Sequence, residues 1–295
     1  MQVTLRPPTL LLLLLAFLSA GTASAQSREK IDQTAAEILR EGLALYQSER
    51  ASWVGTDLLQ ASGADMSQVG GYVSYPIGTD SMRCVFFRKP AANAALQIFY
   101  GYDFPCDTIT MATGRVFAGR NATVTEQRLF TIWQRAREEM VSHKKLGTPY
   151  QRPAGTNLNV ALLDKGSEVR VYVLTGPKTD RLLPFGNDYL LTFSATGELQ
   201  QAEKLHQSYL PMTPPEGERK VVGTMHSHLE AHPYITPSDI CTVLLYQEVV
   251  PSETLYVMSK DFVSLFNVPK QQLVILTKKA WDKINRSQSK QNSSD

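Results

Sequence analysis

The sequence predicts an α+β fold in which a mixed β-sheet is flanked by helices. Three observations carry this expectation. Two segments, 29–46 and 126–145, have apolar residues at helical spacing. A shorter helix opens after Thr236. Between them runs a series of short apolar stretches divided by turn residues, with no internal repeat. The 295 residues are 43% hydrophobic and 20% charged, which suits a globular chain and excludes a collagen-like or wholly disordered one. Thirty basic side chains face 28 acidic ones, a net charge of +2, so no field of one sign points to a nucleic-acid partner.

The chain begins with a segment that reads as a signal peptide, residues 1–25. Arg6 supplies the positive start, leucines 10–15 with Ala16, Phe17 and Leu18 the apolar run, and Ala23-Ser24-Ala25 the small-residue cleavage pattern. The apolar run is about nine residues, too short for a helix to span roughly 30 Å of hydrocarbon. Cleavage after Ala25 would leave a secreted or periplasmic protein with no membrane span. In such a compartment Cys84 and Cys106, on neighbouring expected strands, either pair or stay as free thiols. No C-x-x-C pair is present to suggest a zinc ribbon.

The mature chain divides, on this reading, into an N-terminal α+β region at 26–150, a metal-binding domain at 151–287 and a disordered polar tail at 288–295. In the first helix Ile31, Ala35, Ile38, Leu39, Gly42 and Leu45 form the apolar stripe. Strands are expected at 72–75, 82–87, 96–100 and 108–111. The second helix has a capping-box pattern in Thr123 and Glu126, a stripe of Leu129, Ile132, Trp133, Ala136 and Met140, and Gly147 to end it. Strands follow at 158–163, 169–174, 188–193, 198–206 and 221–225, with Ala195-Thr196-Gly197 as a hairpin turn. After the helix that runs from Thr236 to about residue 247, strands at 255–258, 262–266 and 273–276 close the pattern.

Three of the five histidines fall within seven positions: His226, His228 and His232. At a strand end, residues i and i+2 share a face, so His226 and His228 present two imidazoles together while Ser227 turns away. Asp239 sits in the first turn of the following helix and can be brought back towards them. Two imidazoles and one carboxylate suit Zn²⁺, one per chain, with the fourth position left for water. Asp239 also has a capping role, because Thr236 is a natural N-cap and Pro237 suits the first helical position. One carboxylate has two oxygens and can serve both. The segment His228-Leu-Glu230-Ala-His232 is not the helical zinc-protease motif: its glutamate is one place late and Pro233 stops a helix.

The segment His226-Ser-His228 followed by Asp239 resembles the His-x-His-x10-Asp motif of the JAMM (MPN) metallohydrolases, with a preceding apolar strand ending Gly-x-x-His. Thr236 stands where that family usually has serine, and Leu229 where it usually has proline. The resemblance spans about 155–285. The stretches 171–176 and 185–190 resemble instead a group of secreted bacterial proteins that share the histidine segment. The JAMM resemblance implies hydrolysis of a peptide or isopeptide bond in a peptide or protein substrate, with a glutamate on an earlier strand as general base. Glu168 is the expected base; Glu198, Glu203 and His206 are the other candidates. His206 is expected to face solvent or pack under the hairpin. Ser227 or Thr236 would orient the developing oxyanion. The competing reading is a non-catalytic binding or scaffold protein built on the same domain.

Overall fold

The computed structural model describes residues 8–91, 94–117, 119–179, 181–214, 223–249 and 251–292. Arg6 of the expected signal, residues 221–222 of an expected strand and residues 293–295 of the expected tail lie outside them. Helix α1 (Pro8–Ala61) leads into a sheet of β1 (Val69–Ile77), β2 (Ser81–Arg88), β3 (Gln97–Pro105), β4 (Arg115–Phe117) and β5 (Arg120–Asn121), all antiparallel. The β1–β2 turn uses Gly78 at φ +71°, a left-handed conformation that glycine adopts without strain. The strand expected at 108–111 is absent. Thr113 folds that stretch into a turn by donating its hydroxyl to the Thr108 carbonyl, and β4 begins four residues later than the expected strand ends.

Helix α2 (Val124–Ser142) starts as expected. The Thr123 hydroxyl accepts from the Glu126 N–H, and the Glu126 carboxylate accepts from the Thr123 N–H. Its end differs: His143, at φ +41°, forms the left-handed cap ahead of Gly147. The stripe of α2 packs between β1–β3 and a second antiparallel sheet, ordered β10-β9-β7-β6. Those strands are β6 (Thr156–Asp164), β7 (Glu168–Pro177), β9 (Tyr189–Ser194) and β10 (Leu199–Lys204). Strand β7 is central and buried on both faces, which is why it reads as a continuous apolar run rather than an alternating one.

Strand β8 (Leu183–Gly186) pairs with β11 (Tyr209–Met212) as a two-stranded ribbon. The last sheet is mixed: β12 (Gly223–Ser227) lies parallel to β13 (Thr254–Met258), and β14 (Phe262–Asn267) and β15 (Gln272–Thr277) continue antiparallel. Helix α3 (Pro237–Leu245) is the crossover between β12 and β13, as a parallel pair requires. Helix α4 (Lys278–Asn292) carries the chain on, so the tail expected to be disordered from 288 is helical through Asn292.

Helix α1 extends well past the 29–46 stripe. It packs on α3, on β15 and on β1, β2 and β6, contributing to cores on both sides of residue 150. All three cysteines are free thiols, so Cys84 and Cys106 do not form a bridge. Among the described residues no helix is long and apolar enough to cross a membrane.

Candidate metal centre

Strand β12 alternates as expected: Thr224 and His226 turn inward, Met225 and Ser227 outward. The His228 N–H donates to the Met258 carbonyl at 2.8 Å. This extends the β12–β13 ladder by one residue and keeps both imidazoles on the buried face. Ser227 is therefore exposed and takes no part in the cluster. The loop to α3 is not helical, consistent with rejection of the helical zinc-protease pattern.

Asp239 uses its two oxygens separately. Oδ2 accepts from the Thr236 N–H at 2.8 Å and the Thr236 hydroxyl at 2.7 Å, completing the cap of α3. The Thr236 hydroxyl is thus directed at the carboxylate. Oδ1 lies 3.1 Å from His226 Nε2 and 3.2 Å from His206 Nε2. His226 Nε2 is 3.1 Å from His228 Nε2, which is 3.4 Å from Asp239 Oδ2. One ligand atom from each of His206, His226, His228 and Asp239 falls within 4.8 Å of the others. Around zinc at ~2.0–2.1 Å, tetrahedral ligand atoms stand about 3.3–3.4 Å apart, close to the separations found here.

His206 is the residue that sequence reasoning misplaced. It is buried, 8% exposed, and its Nε2 faces the cluster. Its place depends on the segment 185–188. Gly186 at φ +79° and Asn187 at φ +58° make two successive left-handed residues that kink the chain out of β8. A Cβ on Gly186 would lie 2.2 Å from the Ser208 carbonyl oxygen, so only glycine lets the 206–208 segment cross there. The Asn187 amide donates to the Gln151 carbonyl and to the Thr175 hydroxyl oxygen, locking the kink. Asp188 then accepts from the Thr175 N–H at 3.1 Å and sets its other oxygen 3.5 Å from His206 Nδ1. The available signal was the Gly-Asn-Asp triplet: two residues tolerant of positive φ before an acid, next to an apolar strand.

Glu168 is not brought to the cluster. It opens β7 opposite Ser194, and its carboxylate accepts from Arg170 at 2.7 Å. Asp188 meets β7 at Thr175, seven residues on, about 23 Å along a strand at ~3.3 Å per residue. Glu198 is 77% exposed beside Arg135, and Glu203 on β10 pairs in register with Leu190 of β9; neither joins the cluster.

The electrostatics suit a cation. The Asp239 carboxyl is buried, which would raise its pKa, but the imidazoles of His206, His226 and His228 hold it well below the usual range. Burial pulls His206 down, and the carboxylates of Asp239 and Asp188 more than offset this, leaving it raised. Burial, with help from the other two imidazoles, lowers His228 despite Asp239. Burial pushes Asp188 up to about 6, against the pull of His206 and the Thr175 N–H. His228 Nδ1 donates to the carbonyls of Tyr234 (2.8 Å) and His232 (3.1 Å), so a neutral His228 leaves the Nε2 lone pair towards the cluster. Meanwhile Asp239 Oδ1, both His206 nitrogens and His226 Nδ1 are buried without hydrogen-bond partners. A buried carboxylate oxygen meeting two imidazole nitrogens without a hydrogen bond is costly unless a cation sits among them. The residues fit a divalent metal. A cavity of about 170 Å³ opens on the three imidazoles, walled by Phe185, Leu205, Leu210 and Leu229.

No protein-family model, curated protein or solved structure matches the chain. The cluster resembles a JAMM-type site in its His226, His228 and Asp239 and departs from it in His206.

Proposed function

We propose that the chain is an exported zinc-dependent hydrolase of an amide bond, peptide or isopeptide, with the metal held by His226, His228 and Asp239. The observation that carries this reading is the convergence of three imidazole nitrogens and a carboxylate oxygen beside a cavity, with His206 Nε2 and Asp239 Oδ1 buried and without hydrogen-bond partners. Bound zinc would polarise a substrate carbonyl and make water acidic enough to attack at neutral pH. The chain's own residues supply the rest. The Asp188 carboxylate lies 3.5 Å from His206 Nδ1, and its charge favours the orientation in which Nε2 enters the centre as a proton acceptor, the role expected of Glu168. Thr236 holds Asp239 in register, and the apolar part of the cavity wall receives a small side chain. Export rests on the segment 1–25; N-terminal sequencing of the exported protein should begin at Gln26.

A second reading is favoured by one observation. His206 Nε2 stands 3.2 Å from Asp239 Oδ1, against 3.1 Å for His226 Nε2, so it can close the coordination sphere as a fourth ligand. The site would then be structural and the protein a binding or scaffold protein. His206→Ala separates the two. A base is dispensable for holding metal, so the hydrolase reading predicts zinc retained and turnover of a peptide library lost by about 10²-fold or more. Loss of the zinc with His206→Ala would favour the scaffold.

A further inference from the structure

Helix α3 has the metal centre at its first turn. At its other end, seven residues and about 10 Å beyond Asp239, Tyr246 lines a separate cavity of about 810 Å³. One wall is the α1 face bearing Glu49, Trp53 and Asp57; another is β6 with Asn157 and Asn159, where bare Gly176 makes room for the Asn159 amide. Trp53 and Tyr246 pack against each other with ring centroids 5.6 Å apart, and Trp53 is 40% exposed. Glu49 is the anomaly. It is 7% exposed, its Oε1 has no hydrogen-bond partner, and it is in no ion pair among the described residues. Asp57, by contrast, is under the field of Arg50. The two cations that line the cavity, Lys178 and Arg181, stand on the β7–β8 connection and leave Glu49 unpaired.

A buried carboxylate without a partner is expensive to keep ionised, and its solvation by a ligand is a ready source of affinity. Aromatic faces beside it attract a positive charge, most strongly when water is displaced. We propose that this cavity is a second binding site, distinct from the metal centre, that takes an organic monocation: an ammonium group at Glu49 on an aromatic or apolar body lodged against Trp53 and Tyr246. Among the described lining residues Lys178 and Arg181 are balanced by Asp57 and Glu248, so Glu49 alone is left for one positive charge. The elevated pKa of Glu49, pushed up to about 7 by burial alone, agrees with a carboxyl that lacks its counter-ion.

The test uses the full chain at pH 8 and three probes of one shape: benzylammonium, benzyl alcohol and benzoate, titrated calorimetrically. Benzylammonium should bind at least about tenfold more tightly than the other two. Glu49→Gln, confirmed folded by circular dichroism, should abolish that preference. Trp53→Ala, at a half-exposed position that tolerates truncation, should weaken benzylammonium by about threefold or more. Equal binding of the three probes, no binding of benzylammonium, or wild-type binding by Trp53→Ala would overturn the proposal.

Discussion

At the residue scale the centre rests on pairs of atoms with divided duties. Asp239 gives Oδ2 to the cap of α3 and Oδ1 to the imidazoles of His206 and His226; His228 gives Nδ1 to two carbonyls and Nε2 to the cluster. Asp188 Oδ2 stands 3.5 Å from His206 Nδ1, farther than the carbonyls from His228 Nδ1, and supplies a charge behind the imidazole rather than a hydrogen bond. Replacing it by asparagine keeps the shape and removes the charge that orients and polarises His206. Asp188→Asn should leave the fold intact and, where His206 acts in the centre, lower zinc affinity or turnover by about 10- to 100-fold. Competition with a chromophoric chelator, alongside an activity assay, measures both. Unchanged affinity and turnover would remove Asp188 from the site. The pairing of His226, His228 and Asp239 was legible because period-two alternation and a capping pattern are local properties. His206 was not, because nothing local distinguishes a histidine after a polar strand from a solvated one; its burial comes from the β8–β11 pairing and from Asp188.

At the element scale, backbone conformation places that histidine. Gly186→Ala would force a Cβ to within 2.2 Å of the Ser208 carbonyl at a left-handed φ, so the 206–208 segment must move. The variant should lose on the order of 1–3 kcal/mol of stability, read by urea unfolding, and lose zinc affinity with it. A control at Gly78, where a Cβ meets nothing within 4 Å, should lose stability from backbone strain alone and keep its zinc. Helix α2 offers a pH test away from the centre. Burial would raise the Glu126 carboxyl, but Arg120, the Thr123 N–H and Tyr75 hold it at about 2. Since its folded pKa lies below the unfolded value of ~4.3, the group stabilises the fold above that value and loses its contribution as pH falls towards 2. For this fully buried carboxylate the contribution is on the order of 3 kcal/mol. Metal-free wild type should therefore weaken more steeply than Glu126→Gln between pH 6 and 3 in urea titrations; parallel slopes would contradict the assignment. Elements with a clean period were readable in advance. Helix α1 was readable only as far as 46, because its continuation buries Ser48, Glu49 and Ser52, with the serines bonded to one another and to Ser74, and such residues break an apolar stripe. Strand β11 and the helical continuation at 288 carry no apolar alternation at all.

At the scale of the whole molecule, α1 ties the β1–β5 sheet to the half that carries the centre. Gly42 is where it meets α3, and a Cβ there would lie 2.8 Å from the Ile240 Cβ, one residue from Asp239. Gly42→Ala should cost roughly 1–3 kcal/mol by overpacking and weaken zinc binding as α3 shifts; retained affinity would mean that α1 does not position the centre. The proposed function depends on His226, His228 and Asp239, with His206 beside them, being able to hold a metal. Elemental analysis of the purified chain, reconstituted with zinc and then dialysed, reads that directly. About one zinc per wild-type chain is expected and almost none for His228→Ala, with a wild-type melting temperature that falls on chelation and recovers on adding zinc. Zinc content near zero in both proteins, or equal in both, would mean that the four side chains hold no metal.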